Sequence, residues 1–380
     1  MELIVRKKDT ISGHADLEAL YKFQSFPVFM GTTHEKLEND VLADMNWFIS
    51  KSTGMIQLDP LLPMTVLYPE SHGSGCVGRL WLEHHQAFAE FLKKYSPRVV
   101  LEIGGAHGIL SRNYQALDAN CDWTIIEPNP IPEEGVKANF IKGFFDENFD
   151  FEQEVDAIVH SHVFEHVYDP QVFMKNIAAF LPEGKHLVFT LPNMEVMLDR
   201  KYTNCINFEH TIFLTEPYIE LLLSQHGFRV LEKEYFRDDH SIFYGCVREN
   251  EVPLKTLPEG LYHKNKQLYE DYVEYHEQLI AELNEKIEKL NGESLYLFGA
   301  HVFAQYLIGF GLQTDKIVCL LDNDPNKQGK RLYGTSLQVA SPKILKDVEQ
   351  PVVILKAGVY NEEIKADILE NINPQTMFWE

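Results

Sequence analysis

The chain is poor in positive charge. Lys and Arg number 34 against 57 Asp and Glu, a formal net charge of −23 over 380 residues. Binding nucleic acid through its phosphates requires a basic footprint, and no Lys/Arg cluster is present to build one. Nucleic acid is therefore not an expected partner. An anionic small molecule would have to be held by local donors, because the field of the whole protein opposes it. Cysteine is also scarce. The five residues Cys76, Cys121, Cys205, Cys246 and Cys319 are odd in number, widely spaced and never in a C-x-x-C pair. That argues against a disulfide framework and against a cysteine zinc site, and leaves free thiols in a reducing cytoplasm as the expectation. No stretch reaches about 18 uninterrupted apolar residues, so no membrane span is expected. The opening MELIVRKKDT lacks the apolar run of a signal peptide, so a cytoplasmic location is expected. No repeat and no low-complexity segment is visible, and nothing in the pattern sets an oligomeric state.

What is present is the composition of a globular protein, 45% apolar and 24% charged. The length exceeds one ordinary core, so two or three domains are expected. Residues 1–75 show no clear period, and Pro60, Pro63 and Pro69 punctuate their end; they are expected to form a small N-terminal domain. Residues 76–250 open with a helical period over 79–95, ended by Pro97. They continue as short apolar strands (VVLEI, DWTIIEP, DAIVHSH, HLVFTLPN, IFYGCVRE) alternating with helical segments. That alternation predicts a parallel sheet covered by helices. Residues 251–292 are expected to be a helical linker, a long charged helix stopped by Asn291-Gly292. Residues 293–380 return to strand–helix alternation and predict a second, smaller doubly wound α/β domain.

The segment Glu102-Ile103-Gly104-Gly105-Ala106-His107-Gly108 lies between a predicted strand and a predicted helix. Its glycines permit a tight turn and close approach of a ligand to the backbone. The helix start behind them offers free N–H groups and a positive dipole end. A dinucleotide fingerprint would read G-x-G-x-x-G. Here an acid stands two residues before the first glycine, which suits the ammonium of a methionine moiety better than a pyrophosphate. Glu127 ends the next strand, where a carboxylate can accept hydrogen bonds from both ribose hydroxyls. Phe144 and Phe145 lie where an adenine could stack, although simple core packing accounts for them equally well.

Glu102, Gly104, Gly108 and Glu127, followed by the runs HVFEHVYDP, FLPEGKHLVFTLPN and LLSQHGF, resemble the class I S-adenosylmethionine-dependent methyltransferases over about 95–250. The whole chain resembles the nucleotide-ketosugar C-methyltransferases. The most telling part is LFGAHVFAQYLIGFGL followed by LLDNDPNKQGKRLYGT, in which Asp322, Pro325, Lys327 and Gln328 fit the family pattern. The resemblance implies an N-terminal domain like the family's zinc-binding one, a Rossmann-like methyltransferase domain and a C-terminal α/β domain that clamps a nucleotide. It implies S-adenosylmethionine as cofactor, with Glu102, Gly104, Gly105, Gly108, Glu127, Phe144 and Phe145 in its site. It also implies His210 as general base with Glu209 beside it, His166 as a second active-site histidine, and Tyr68 in LYPESHGSG as an active-site tyrosine. The expected reaction is removal of a proton next to a sugar ketone and attack of the enolate on the methyl group.

Three positions depart from that family. Ser50-Lys51-Ser52-Thr53-Gly54 stands where the family has its zinc-binding C-x-x-C-G, so the N-terminal domain is expected without metal. Asn207 replaces a tyrosine three residues before the base. Asp238-Asp239-His240-Ser241 replaces a Gly-Gly turn. His160, His162 and His166 lack an evident carboxylate or cysteine partner, and no metal site is expected. The leading expectation is therefore a methyltransferase acting on a nucleotide-linked sugar, with an O-methyltransferase on a sugar or other small molecule beside it. A nicotinamide-dependent oxidoreductase is opposed by the missing G-x-G-x-x-G. A non-catalytic cofactor-binding protein is the remaining class, motivated by the lost cysteines and Asn207.

Overall fold

The computed structural model describes residues 2–67 and 78–380. The first segment is not irregular, as its lack of period suggested. Strands β1 (Leu17–Pro27), β2 (Thr32–Thr33), β3 (Leu42–Ser50) and β4 (Ile56–Leu58) precede a short helix α1 (Met64–Leu67). β1, β3 and β4 form an antiparallel sheet. Along β3, Met45, Trp47 and Ile49 point into the core in strict alternation. On β1 that alternation is broken by register shifts between Ala19 and Tyr21 and between Phe23 and Phe26, which hides the strand from a period-two reading. The hydroxyls that stand in for the family's cysteines bind carboxylates instead. Thr53 donates to Asp9 (Oγ1–Oδ2, 2.9 Å) and Ser50 to Asp16 (Oγ–Oδ1, 3.1 Å), while the Ser52 N–H donates to Asp16 Oδ2 at 2.7 Å.

The central domain runs through α2 (Arg79–Lys93), β5 (Val99–Ile103), α3 (Ile109–Leu117), β6 (Asp122–Glu127), β7 (Asn139–Lys142), β8 (Ala157–Ser161), α4 (Pro170–Phe180), β9 (His186–Pro192), α5 (Met194–Asp199), α6 (Glu216–Gln225), β10 (Phe228–Phe236) and β11 (Ser241–Arg248). Its seven-stranded sheet has the order β10-β11-β9-β8-β5-β6-β7. Strands β5 to β9 are parallel, and β11 runs antiparallel to both its neighbours. The parallel strands are covered on both faces, which explains the near-continuous apolar runs in their sequences. Strand order reverses between β5 and β8, and in such sheets ligands bind beyond the carboxyl ends of the strands at that point. The predicted Rossmann-like α/β class therefore holds.

Helix α7 (Leu261–Lys289) buries one face, including Tyr269, Tyr272, Leu279 and Leu283, and carries its charges on the other. It leads to β12 (Ser294–Phe298), α8 (Val302–Gly309), β13 (Ile317–Leu321), β14 (Arg331–Leu332), β15 (Val339–Ala340), β16 (Pro351–Leu355), α9 (Asn361–Asn371) and β17 (Met377–Trp379). Here the all-parallel order β15-β13-β12-β16-β17 makes a second doubly wound sheet, with its reversal between β12 and β16. Among the described residues no helix is long and apolar enough to cross a membrane.

The N-terminal sheet joins the other two parts. β2 pairs with β14, and Phe23 and Phe26 pack on Tyr306 of α8 at ring-centroid distances of 5.2 and 5.0 Å. On the opposite side, β4 exchanges backbone hydrogen bonds with residues 211–213. The Leu58 N–H donates to Thr211 O, and the Phe213 N–H to Ile56 O, both at 2.9 Å. Arg331 and Asp40 clasp the seam next to β2. Both Arg331 terminal nitrogens lie 2.6 Å from a different Asp40 oxygen, and both side chains are buried. Removing one partner of a buried pair leaves an uncompensated charge, at a cost of about 3–5 kcal/mol. Asp40→Ala is therefore expected to lower the urea midpoint of the full chain clearly below that of the wild type. An unchanged midpoint would show that the seam does not depend on this pair.

Candidate active site

The glycine turn leaves the carboxyl end of β5. Gly104 has φ +75°, and a Cβ there would lie 2.6 Å from Val163 Cγ2. A Cβ on Gly105 would meet Glu102 Cδ at 2.6 Å and Ile125 Cγ2 at 2.8 Å. These two glycines are thus required by the packing of the turn on its own fold. Gly108 occupies the N-cap of α3. Glu102 lies beneath the turn, 3% exposed, and accepts a 2.7 Å hydrogen bond from the Trp123 indole N–H. Burial pushes its carboxyl up to about 8, against the Trp123 hydrogen bond, with Glu127 adding repulsion. Glu127, at the end of β6, accepts from the backbone N–H groups of Ala106 (3.3 Å) and Asn129 (3.0 Å) and remains partly exposed. Phe145 packs against Phe149, Phe173 and Phe180. Phe144, by contrast, is 44% exposed.

Beyond the carboxyl ends of β8 and β9, the structure brings His166 and His210 together. Their rings meet edge to face at 4.6 Å. His210 Nδ1 lies 3.0 Å from the Cys205 carbonyl. A carbonyl can only accept, so Nδ1 carries the proton and Nε2 keeps its lone pair. Burial lowers the His210 pKa, with the Glu165 charge opposing it. The loop around His210 is shaped by Asn207, whose side-chain oxygen accepts the backbone N–H of Glu209 (2.7 Å) and of His210 (2.9 Å). Asn207 therefore closes a turn where the family has a phenol. Glu209 Oε2 lies 3.9 Å from His166 Nδ1. Tyr68 lies outside the described residues.

Glu165 has a fully buried side chain with no hydrogen-bond partner on either oxygen, and burial pushes its carboxyl up to about 7. Its Oε1 lies 4.0 Å from His166 Nε2 and 3.3 Å from His162 Nδ1. His162 thus faces away from the His166–His210 pair, toward His84 and His240 (ring centroids 5.3 and 5.9 Å). His160 belongs to neither group. It stacks on Phe189 at 4.8 Å, and burial pushes it down to about 3. Sequence reasoning missed His84 altogether and read His240 only as part of an altered turn, because 84, 162 and 240 show no ligand spacing.

In the C-terminal domain, Asp322 directly follows β13, where a ribose-binding acid would stand. Its carboxylate is already taken by the Ala300 N–H (2.9 Å) and the Lys327 ammonium (3.0 Å), and its carbonyl by the Gln328 amide (3.0 Å). A cavity of about 210 Å³ lies at this domain's strand-order reversal, where it meets the central domain; Arg200, Lys201, Tyr202, Tyr275, Phe303 and Lys356 are among its walls.

Two family models match the chain. Residues 78–233 match a methyltransferase domain, and residues 259–377 match a C-methyltransferase C-terminal domain. No curated protein matches in sequence. Similar solved structures include an O-methyltransferase family protein from Burkholderia thailandensis, at 15% identity, 46% of this chain, 57% of that chain and TM-score 0.38. An S-adenosylmethionine-dependent methyltransferase from Clostridium acetobutylicum is 12% identical over 47% of this chain and 94% of its own, with TM-score 0.36. The plantazolicin methyltransferase BpumL in complex with SAH is 13% identical over 45% of this chain and 84% of its own, with TM-score 0.34. The chain spans 57% of the length of the first of these.

The buried Glu102 fixes a sign. Its folded pKa of about 8 lies above the ordinary 4.5, so the folded state holds a proton that the unfolded chain releases. The stability it contributes is complete below about pH 4.5 and is lost as pH rises toward 8. Wild-type melting temperatures are expected to fall across that window more steeply than those of Glu102→Gln, which keeps the contact to Trp123 without an ionisable group. Parallel slopes in the two pH series would contradict the buried neutral acid.

Proposed function

We propose that this chain, with its methyltransferase domain followed by a C-methyltransferase C-terminal domain, transfers a methyl group from S-adenosylmethionine to a small molecule, with His210 as general base. The donor set suits that cofactor. The turn over Gly104 and Gly105 exposes backbone at the sheet's reversal point, Glu127 keeps lone pairs for ribose hydroxyls, and Phe144 presents a ring for the adenine. Glu102 acts from beneath, holding the turn's shape. When bound, the cofactor supplies an electrophilic methyl group on a sulfonium.

The observation that carries the reading is the tautomer of His210. Its Nδ1–H is fixed on the Cys205 carbonyl, so Nε2 is a ready proton acceptor at neutral pH. It takes the proton from the acceptor, Asn207 holds the backbone that aims it, and His166 with Glu209 lines the same wall. We further propose a nucleotide-linked keto sugar as acceptor, with its nucleotide in the cavity between the central and C-terminal domains. Tyr202, Tyr275 and Phe303 there offer faces to a base, and Lys201 and Lys356 offer charge to phosphates, Arg200 being held by Asp238 and Asp239; these are local donors of the kind an anion requires on so acidic a protein. Asn207 favours a second reading, methylation of a sugar hydroxyl, because its amide cannot take part in the proton transfers of an enolisation as a phenol could.

His210→Ala is expected to lower turnover by at least about 100-fold while calorimetry shows S-adenosylhomocysteine binding unchanged. Retained turnover would remove His210 from the mechanism. Burial lowers the His210 pKa below its ordinary value of 6.5, so the base is mostly neutral at pH 7 to 8 and gains its proton as pH falls. The midpoint of the acid limb of the kcat profile should lie below pH 6.5, and a midpoint above 7 would assign the proton to another group. Lys356→Ala is expected to raise KM for a nucleotide sugar about tenfold, roughly the loss of one charge-assisted hydrogen bond, with kcat kept. An unchanged KM would place the acceptor elsewhere.

A further inference from the structure

Three histidines distant in sequence converge behind the proposed catalytic pair. His84 comes from α2, His162 from the exit of β8 and His240 from the turn between β10 and β11. One ring nitrogen from each lies within 4.8 Å of the other two. We propose that His84, His162 and His240 bind a divalent transition-metal ion of the zinc class.

The chemistry of the donors selects that class. Three imidazoles suit zinc, cobalt, nickel or copper, whereas magnesium and calcium take oxygen ligands. Orientation supports it as well. Ser241 Oγ lies 2.8 Å from His162 Nε2 and 2.6 Å from His240 Nδ1, so two of the nitrogens already aim at one point. The hydroxyl can donate to one of them and accept an N–H from the other, so an ion bound there would replace this pair of hydrogen bonds. His84 is fully buried, and its Nδ1 has no hydrogen-bond partner, an arrangement that calls for an explanation in any folded protein. His162 holds φ +53°, a conformation that a non-glycine residue adopts only when its surroundings enforce it.

The surroundings match those of a metal ligand. The far nitrogen of His162, Nδ1, lies 3.3 Å from the buried Glu165 carboxylate, close to but short of a hydrogen bond, and a carboxylate drawn into such a bond behind a ligating histidine would fix its tautomer and strengthen it. Trp81 stands against all three imidazoles at centroid distances of 5.2, 4.9 and 5.0 Å, walling off solvent. Zinc–nitrogen bonds of about 2.0–2.1 Å set tetrahedral ligands about 3.3–3.4 Å apart. Closing from 4.8 Å takes modest side-chain rotation. The fourth position falls to water or the Ser241 hydroxyl. Such an ion would tie together α2, the β8 exit and the β10–β11 turn, one carboxylate away from His166 and His210. It would position the rim of the site without touching the reacting atoms, and the inference stands whatever reaction the enzyme performs.

The test is a titration of the full chain, stripped with EDTA and dialysed, with Co²⁺. Binding of one equivalent is expected, with the visible d–d bands of a tetrahedral site, bleached when Zn²⁺ displaces it. X-ray absorption on that complex should count three imidazole ligands. His84→Gln and His240→Gln, each checked for folding by circular dichroism, should weaken binding by about 100-fold or more, and Glu165→Gln by about 10- to 100-fold. Absence of the bands in the wild type would overturn the proposal, as would fewer than three imidazoles in its absorption spectrum. So would bands that survive both histidine substitutions, or bands lost on His210→Ala, which would put the ion on Glu165, His166 and His210 instead.

Discussion

The loop that carries Glu209 and His210 belongs to no helix or strand, and a base of the kind proposed for His210 has to be held to a fraction of an ångström. Its rigidity comes from outside the central domain. Backbone hydrogen bonds from β4 grip residues 211 and 213 just after the histidine, and Arg6 reaches across to the Leu58 and Thr211 carbonyls at 2.8 and 2.7 Å. Before it, Asn207 closes the turn and the Cys205 carbonyl sets the ring's tautomer. The small N-terminal sheet therefore braces the loop that carries His210. Its own order comes from β1–β3 pairing and from hydroxyl–carboxylate bonds at the position where relatives carry cysteines.

Charge around the site is managed by burial. Glu102 and Glu165 are both pushed up toward or above neutrality, while His210, His162 and His240 are pushed down. A crevice in which acids and bases are both drawn toward their neutral forms is a poor magnet for ions but a good place to move protons, because little charge must be created to do so. The chain's net charge of −23 reinforces the point. Any phosphate-bearing substrate must be held by the few cations that the two larger domains bring together.

Much of this was legible in the sequence, for definite reasons. The glycine turn, Glu127 and the strand–helix alternation follow local rules of backbone geometry and period, and they led directly to the doubly wound class. His166 and His210 were found through resemblance to a family, and no local rule would have paired residues separated by a strand and two helices. Strand β1 was hidden because register shifts interrupt its alternation. Glu102 was read as facing a ligand, but its placement under Gly105 is decided by Trp123 on the neighbouring strand, a contact no spacing reveals. Phe145 was claimed by an apolar cluster assembled from α4. The three-histidine group was invisible for the same reason as Glu102: its members meet only once the sheet is built.

The seam between the first and last parts of the chain has a mechanical consequence. Because β2 is hydrogen-bonded to β14 and β4 to the loop that carries His210, the N-terminal segment acts as a crossbar fastened at both ends. The two doubly wound lobes cannot swing apart about α7 like the jaws of a clam without first unzipping one of those ladders. The separation of the two lobes is then set by the fold before any ligand arrives.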